Sequence, residues 1–143
     1  MWPQTYESRL AFWYQLREEN RSNNLEKALL AVNDFWQQAP ISAHYLHWDD
    51  RRNWPDPWDL LADNIYCSLA KALGIVYTLH LMERPDIQDM QLAQSQDGND
   101  NLVLINRGKY ILNWAWGEML NISSEHISIR KTLEANVVTK NIH

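Results

Sequence analysis

The sequence predicts an α+β fold: an N-terminal helical hairpin and a third helix, packed on an antiparallel β-meander of about four strands. Three observations lead there. From Leu10 to Trp36, apolar residues recur at spacings of three and four. A proline-marked helix start at Asp56-Pro57 opens onto a second long apolar stripe. From Ile75 onward the pattern changes to alternation, and short β-rich runs are separated by Asp97-Gly98 and Arg107-Gly108.

Between Thr5 and Asn20, Leu10, Trp13 and Leu16 form a stripe opposite Glu7, Arg9, Arg17 and Glu18, which is the pattern of an amphipathic helix. Leu25, Ala28, Leu29, Val32 and Trp36 repeat it until Pro40, and the short polar link between the two predicts an antiparallel hairpin over 1–40. Residues 41–56 have no helical period and read as a strand fragment followed by an ordered loop. The stretch 57–74 predicts one central helix: Asp56 caps it, Leu61, Ile65, Leu69, Ala72 and Leu73 form its buried stripe, and Gly74 stops it. Ile75, Tyr77, Leu79 and Leu81 then alternate with Val76, Thr78, His80 and Met82 as a buried strand.

Ile87–Ser95 and Leu102–Trp116 complete the sheet, the latter as a hairpin about Asn106-Arg107-Gly108. Residues 117–143 read as extra strands or an arm that pairs with another chain. A chain of 143 residues suits a single domain.

A net charge of −5, with 13 scattered Lys and Arg, argues against direct nucleic-acid binding. No run approaches the ~18 apolar residues that cross a bilayer, and Met1–Arg9 lacks the layout of a signal peptide, so a soluble protein made in the cytoplasm is expected. The single cysteine excludes an intramolecular disulfide.

The composition is unusual in its eight tryptophans. An indole joins a large apolar face to one N–H donor and suits both cores and protein contacts. Trp36, Trp58 and Trp114 fit core positions, which leaves Trp2, Trp13, Trp48, Trp54 and Trp116 as candidates for an intermolecular interface.

Two constellations could carry chemistry. Cys67 lies within the predicted central helix with Lys71 one turn on, and His80 or His47 could serve it as a base. A helix with a cysteine followed by antiparallel strands resembles the core of transglutaminase-like and papain-like domains. In those families the cysteine starts its helix, whereas Pro57 puts Cys67 about three turns downstream, away from the positive end of the helix dipole. Asn113 in Ile111-Leu112-Asn113-Trp114 also puts an amide where a base is needed, and an amide takes no proton at neutral pH. A buried, inert Cys67 is therefore the expectation, with a cysteine-centred enzyme as the alternative.

His44, His47 and Asp49 are a weak candidate for a metal site, set against a solvated loop in which Asp49 and Asp50 pair with Arg51 and Arg52. Asp97, Asn99 and Asp100 resemble half a calcium loop without its distal glutamate, which a turn explains better. No cofactor is expected.

Two further stretches, Trp54-Pro-Asp-Pro-Trp-Asp-Leu-Leu61 and Tyr66-Cys-Ser-Leu-Ala-Lys-Ala-Leu-Gly74, resemble small uncharacterised proteins of contractile-tailed bacteriophages. That resemblance implies a structural or assembly protein of a virion tail, neck or baseplate, not an enzyme. Its partners would be other virion proteins or copies of itself, with no membrane or small-molecule ligand.

Overall fold

A computed structural model describes residues 2–42, 45–114 and 128–142. Helix α1 (Tyr6–Asn20) opens on a capping box between Thr5 and Ser8, and α2 (Leu25–Gln37) is capped by the Asn24 side chain. These are the two helices of the expected hairpin. A 3-10 turn (Arg51–Asn53) precedes α3 (Pro57–Asp63), where Asp56 accepts from the Asp59 N–H at 2.8 Å and Pro57 takes the first turn.

The predicted central helix is two helices. Asn64 adopts the left-handed conformation (φ 56°) and ends α3, which asparagine tolerates better than most residues. Ile65–Cys67 then runs extended, with Tyr66 bridged to Ile41, before α4 (Ser68–Met82) begins. Ile65, expected in the buried stripe, is exposed instead.

The run from Ile75 to Met82, expected as a strand, is the body of α4. Twelve of the fifteen residues of this helix are buried. A helix that is apolar all round shows no amphipathic period, and Ile75, Val76, Tyr77 and Thr78 add β-rich composition, so the local signal pointed to the wrong element. Gly74 does not stop the helix. A Cβ there would lie 2.5 Å from the Trp36 indole, so the glycine lets α2 and α4 meet ring to backbone.

Strands β1 (Met90–Ser95), β2 (Asn101–Ile105), β3 (Tyr110–Leu112) and β4 (Ile129–Glu134) form one antiparallel sheet in the order β3-β2-β1-β4. The helices followed by a four-stranded antiparallel sheet bear out the expected fold class. Asn106 and Arg107, both at positive φ, turn β2 into β3 at the expected hairpin. Strand β4 pairs with β1 of its own chain, so that part of the C-terminal segment is an ordinary sheet strand; a short helix, α5 (Ala135–Val138), follows.

One sheet face (Met90, Leu92, Val103, Ile105, Tyr110, Leu112) packs into the main core with α4. The other face gathers Ala93, Leu102, Leu104 and Ile111 under Trp114 and Ile129.

The indoles hold this core together by hydrogen bonds as well as by area. Trp13 Nε1 and Trp36 Nε1 both donate to Thr78 Oγ1, at 2.8 and 3.0 Å, and that hydroxyl donates to the Gly74 carbonyl at 2.6 Å. Trp2 donates to Asn64 Oδ1, Trp48 to Asn101 Oδ1 and Trp54 to the His47 carbonyl. Trp2, Trp13 and Trp54 are buried and so are not the exposed interface residues expected of them, Trp48 is half-buried, and Trp116 lies outside the described residues.

Candidate functional site at the head of α4

Because the chain breaks at Asn64, Cys67 is the N-cap of α4 and not a mid-helix residue. The first turn of a helix has backbone N–H groups without intrahelical partners, and their dipoles favour a negative charge such as a thiolate. The placement that the sequence denied to Cys67 is thus the one it has. Cys67 is 1% exposed yet lines a cleft of about 430 Å³ with Ile41, Ser42, Ser68, Gly98 and Asn99.

Two loops form the cleft walls. On one side the Ser42 N–H donates to the Tyr66 carbonyl at 2.9 Å, which holds residues 41–42 against the strand-like lead into α4. On the other is the β1–β2 turn. There Asp97 Oδ1 accepts from Ser95 Oγ (2.7 Å) and the Asn99 N–H (2.9 Å), contacts that hold its carboxyl below the usual carboxylate range, while burial and then Asp97 raise that of Asp100.

Next to Ser68 of the cleft, Asn113 ties four elements together. It sits at φ 64°, a conformation that its contacts fix. Its N–H donates to Asn33 Oδ1 (2.9 Å), its Nδ2 to the Ser68 carbonyl (3.1 Å) and the Asn101 carbonyl (2.7 Å), and its Oδ1 accepts from Gln37 Nε2 (2.6 Å). The end of β3, the start of β2, the tail of α2 and the head of α4 are thereby joined through one amide.

Lys71, one turn along α4, is buried with Nζ 3.4 Å from the Gln37 carbonyl, and desolvation lowers its pKa. Tyr45 donates to the Ile65 carbonyl at 2.8 Å. Burial, followed by the nearness of Cys67 and Asp63, pushes its hydroxyl up to about 12.

The bases expected for Cys67 are placed differently. His80 is exposed in the last turn of α4, about 20 Å along the helix from Cys67 at 1.5 Å per residue, so it cannot serve that thiol. His47 is exposed in the loop before the 3-10 turn and does not line the cleft. His44 lies outside the described residues, which leaves the metal reading of His44, His47 and Asp49 without its first member. Asp49 pairs with Lys131 at 3.2 Å, and Asp50 accepts from Asn53; these contacts replace the expected pairing with Arg51 and Arg52. Sequence reasoning missed the break after Asp63. Its one signal was Asn64 ahead of Ile65-Tyr66, an αL-tolerant residue followed by a β-branched and an aromatic one.

No protein-family model and no curated protein matches the chain. Solved structures do. One of LapG from Legionella pneumophila is 18% identical over 92% of this chain and 77% of that one, with a TM-score of 0.71. The EGTA-treated form gives 18%, 94%, 76% and 0.72, and the calcium-bound form 17%, 92%, 77% and 0.71. The fold is that of LapG.

At these identities the likeness is one of fold alone. The reading as a bacteriophage virion protein of tail, neck or baseplate is overturned by the same likeness, which favours the cysteine-centred alternative. The expectation that the chain is not an enzyme, argued in part from a cysteine inside a helix, loses that ground because Cys67 stands at a helix start.

Proposed function

We propose that this chain is a cysteine-centred acyl-transfer protein that acts on polypeptide amides, with Cys67 as the nucleophile. The observation that carries the proposal is the position of Cys67 at the start of α4, lining a cleft that the β1–β2 turn and residues 41–42 also line. In the reaction, the Cys67 thiolate adds to the substrate carbonyl carbon, the C–N bond breaks, and the amine leaves with a proton. The resulting thioester is then resolved by water or a second amine, which restores the thiol.

The described polar side chains that line this cleft beside Cys67 are two hydroxyls, Ser42 and Ser68, and one amide. Asn99 lines the cleft, while Asn113 and Asn101 tie the sheet to the head of α4, and none of the three accepts a proton at neutral pH. A second reading, capture of a peptide without turnover, is favoured by that setting of hydroxyls and amides. One of the LapG forms is calcium-bound, but among the described residues no three His, Cys, Asp or Glu side chains gather to hold a cation, and Asp97 is engaged by Ser95 and Asn99. No step is therefore routed through a metal.

The test is the rate at which iodoacetamide alkylates Cys67, followed by mass spectrometry in the native chain and in the same chain unfolded in guanidinium. A nucleophilic site reacts at least about tenfold faster when folded, a gain that burial alone would reverse. Slower alkylation in the folded chain overturns the proposal. Release of amine-labelled products from casein, lost in Cys67→Ala, separates turnover from capture.

A further inference from the structure

We infer that the polypeptide taken by this cleft presents an aliphatic or aromatic side chain within one residue of the carbonyl that Cys67 attacks, and that an acidic side chain there is rejected. This inference rests on the proposed thiol chemistry and adds a substrate class to it. Ile41 is 69% exposed, Ile65 52% and Tyr45 38%. The three lie together. Ile41 is bridged to Tyr66, the neighbour of Ile65, and the Tyr45 hydroxyl is fixed on the Ile65 carbonyl.

Ile41 also lines the cleft with Cys67, so the apolar rim is continuous with the thiol site. Large apolar side chains left open beside a polar cleft mark a contact surface, and here the occupant must also reach the thiol.

The other large exposed apolar residues, Phe12, Tyr14 and Leu30, belong to α1 and α2, and Phe12 already stacks on Phe35. The extended backbone at 41–42 and 65–66 suits an extended ligand rather than a helical one. Negative charge stands beside the apolar rim. Asp63, whose pKa is raised by burial and then by Asp59 and Asp56, lies near Tyr45, whereas on the opposite wall Asp97 and Asp100 flank a turn against which Arg130 also rests. An acidic residue on the substrate would meet like charge at Asp63 beside the apolar rim.

The experiment uses the full chain and a series of blocked dipeptide chloromethyl ketones, X-Gly, with X as Leu, Phe, Gly, Lys or Glu. The rate of Cys67 alkylation by each is divided by the rate with iodoacetamide. Leu and Phe should exceed Glu by about tenfold or more, with Lys between them, and in Ile41→Ser/Ile65→Ser that ratio should fall to about threefold or less. Both positions are exposed, so the variant should melt with the wild type. A ratio unchanged in the variant, or equal rates across X in the wild type, overturns the inference while the thiol chemistry stands. Failure of native Cys67 to react with iodoacetamide overturns both.

Discussion

The middle and the head of α4 are built in opposite ways. In the middle, polar groups and ring meet closely: Thr78 takes two indole N–H groups and returns its own proton to Gly74, whose missing side chain admits the Trp36 ring. At the head the N-cap side chain makes no capping hydrogen bond, the flanking loops stand apart around a cleft, and the nearest contacts are held by a left-handed asparagine. The difference shows how one helix can be immobile along its length and chemically open at its tip. Rigidity in the middle fixes where the thiol points without using the groups around it.

Thr78→Val should have the largest effect on that contrast. It keeps the shape but orphans two buried indole donors, at a cost of about 3 kcal/mol, whereas Thr78→Ser should lose about 1 kcal/mol or less. Urea unfolding measures both, and equal losses would mean that the methyl group, not the hydroxyl, holds the centre. Gly74→Ala should follow, at about 2 kcal/mol, because displacement of the Trp36 ring outweighs the better helix propensity of alanine. A more stable Gly74→Ala would show that α2 can shift away from α4.

The smallest effect belongs to the head. Burial lowers the Lys71 pKa below its unfolded value, so between those two values the unfolded chain binds more protons and stability rises with pH. Lys71→Met should therefore be more stable than the wild type near pH 7, with the advantage shrinking as pH climbs toward 10. An advantage independent of pH would place the cost in packing, not in charge.

The parts of the fold legible in the sequence are those whose signals are local. The cap at Asp56 and the Asn106-Arg107 turn declare themselves in a few residues. Helix α4 does not, because burial on all sides erases the polar stripe that would reveal its period, and Gly74 resembles a terminator although its role is to admit a neighbouring ring. That error hid the site. With 57–74 taken as one helix, Cys67 fell in its interior, and only the folded chain returns it to a helix start.

Asn113 was visible as an amide in an unexpected place, but its four partners come from residues far away in sequence, and no local pattern encodes them. The indoles misled for a similar reason. Their number suggested surplus surface, whereas Trp2, Trp13, Trp36, Trp48 and Trp54 each bond an acceptor within the chain.

The tether from Trp2 to Asn64 reaches further than its length suggests. Its 2.8 Å bond fastens the residues ahead of α1 to the left-handed turn from which the segment leading to Cys67 departs, and the ring also rests on Phe35, Trp36 and Tyr66. Proteolytic nicking after Gln4 would therefore loosen the reactive end of the molecule without touching a residue of the cleft. The residues ahead of α1 thus brace the left-handed turn that brings the chain to the head of α4.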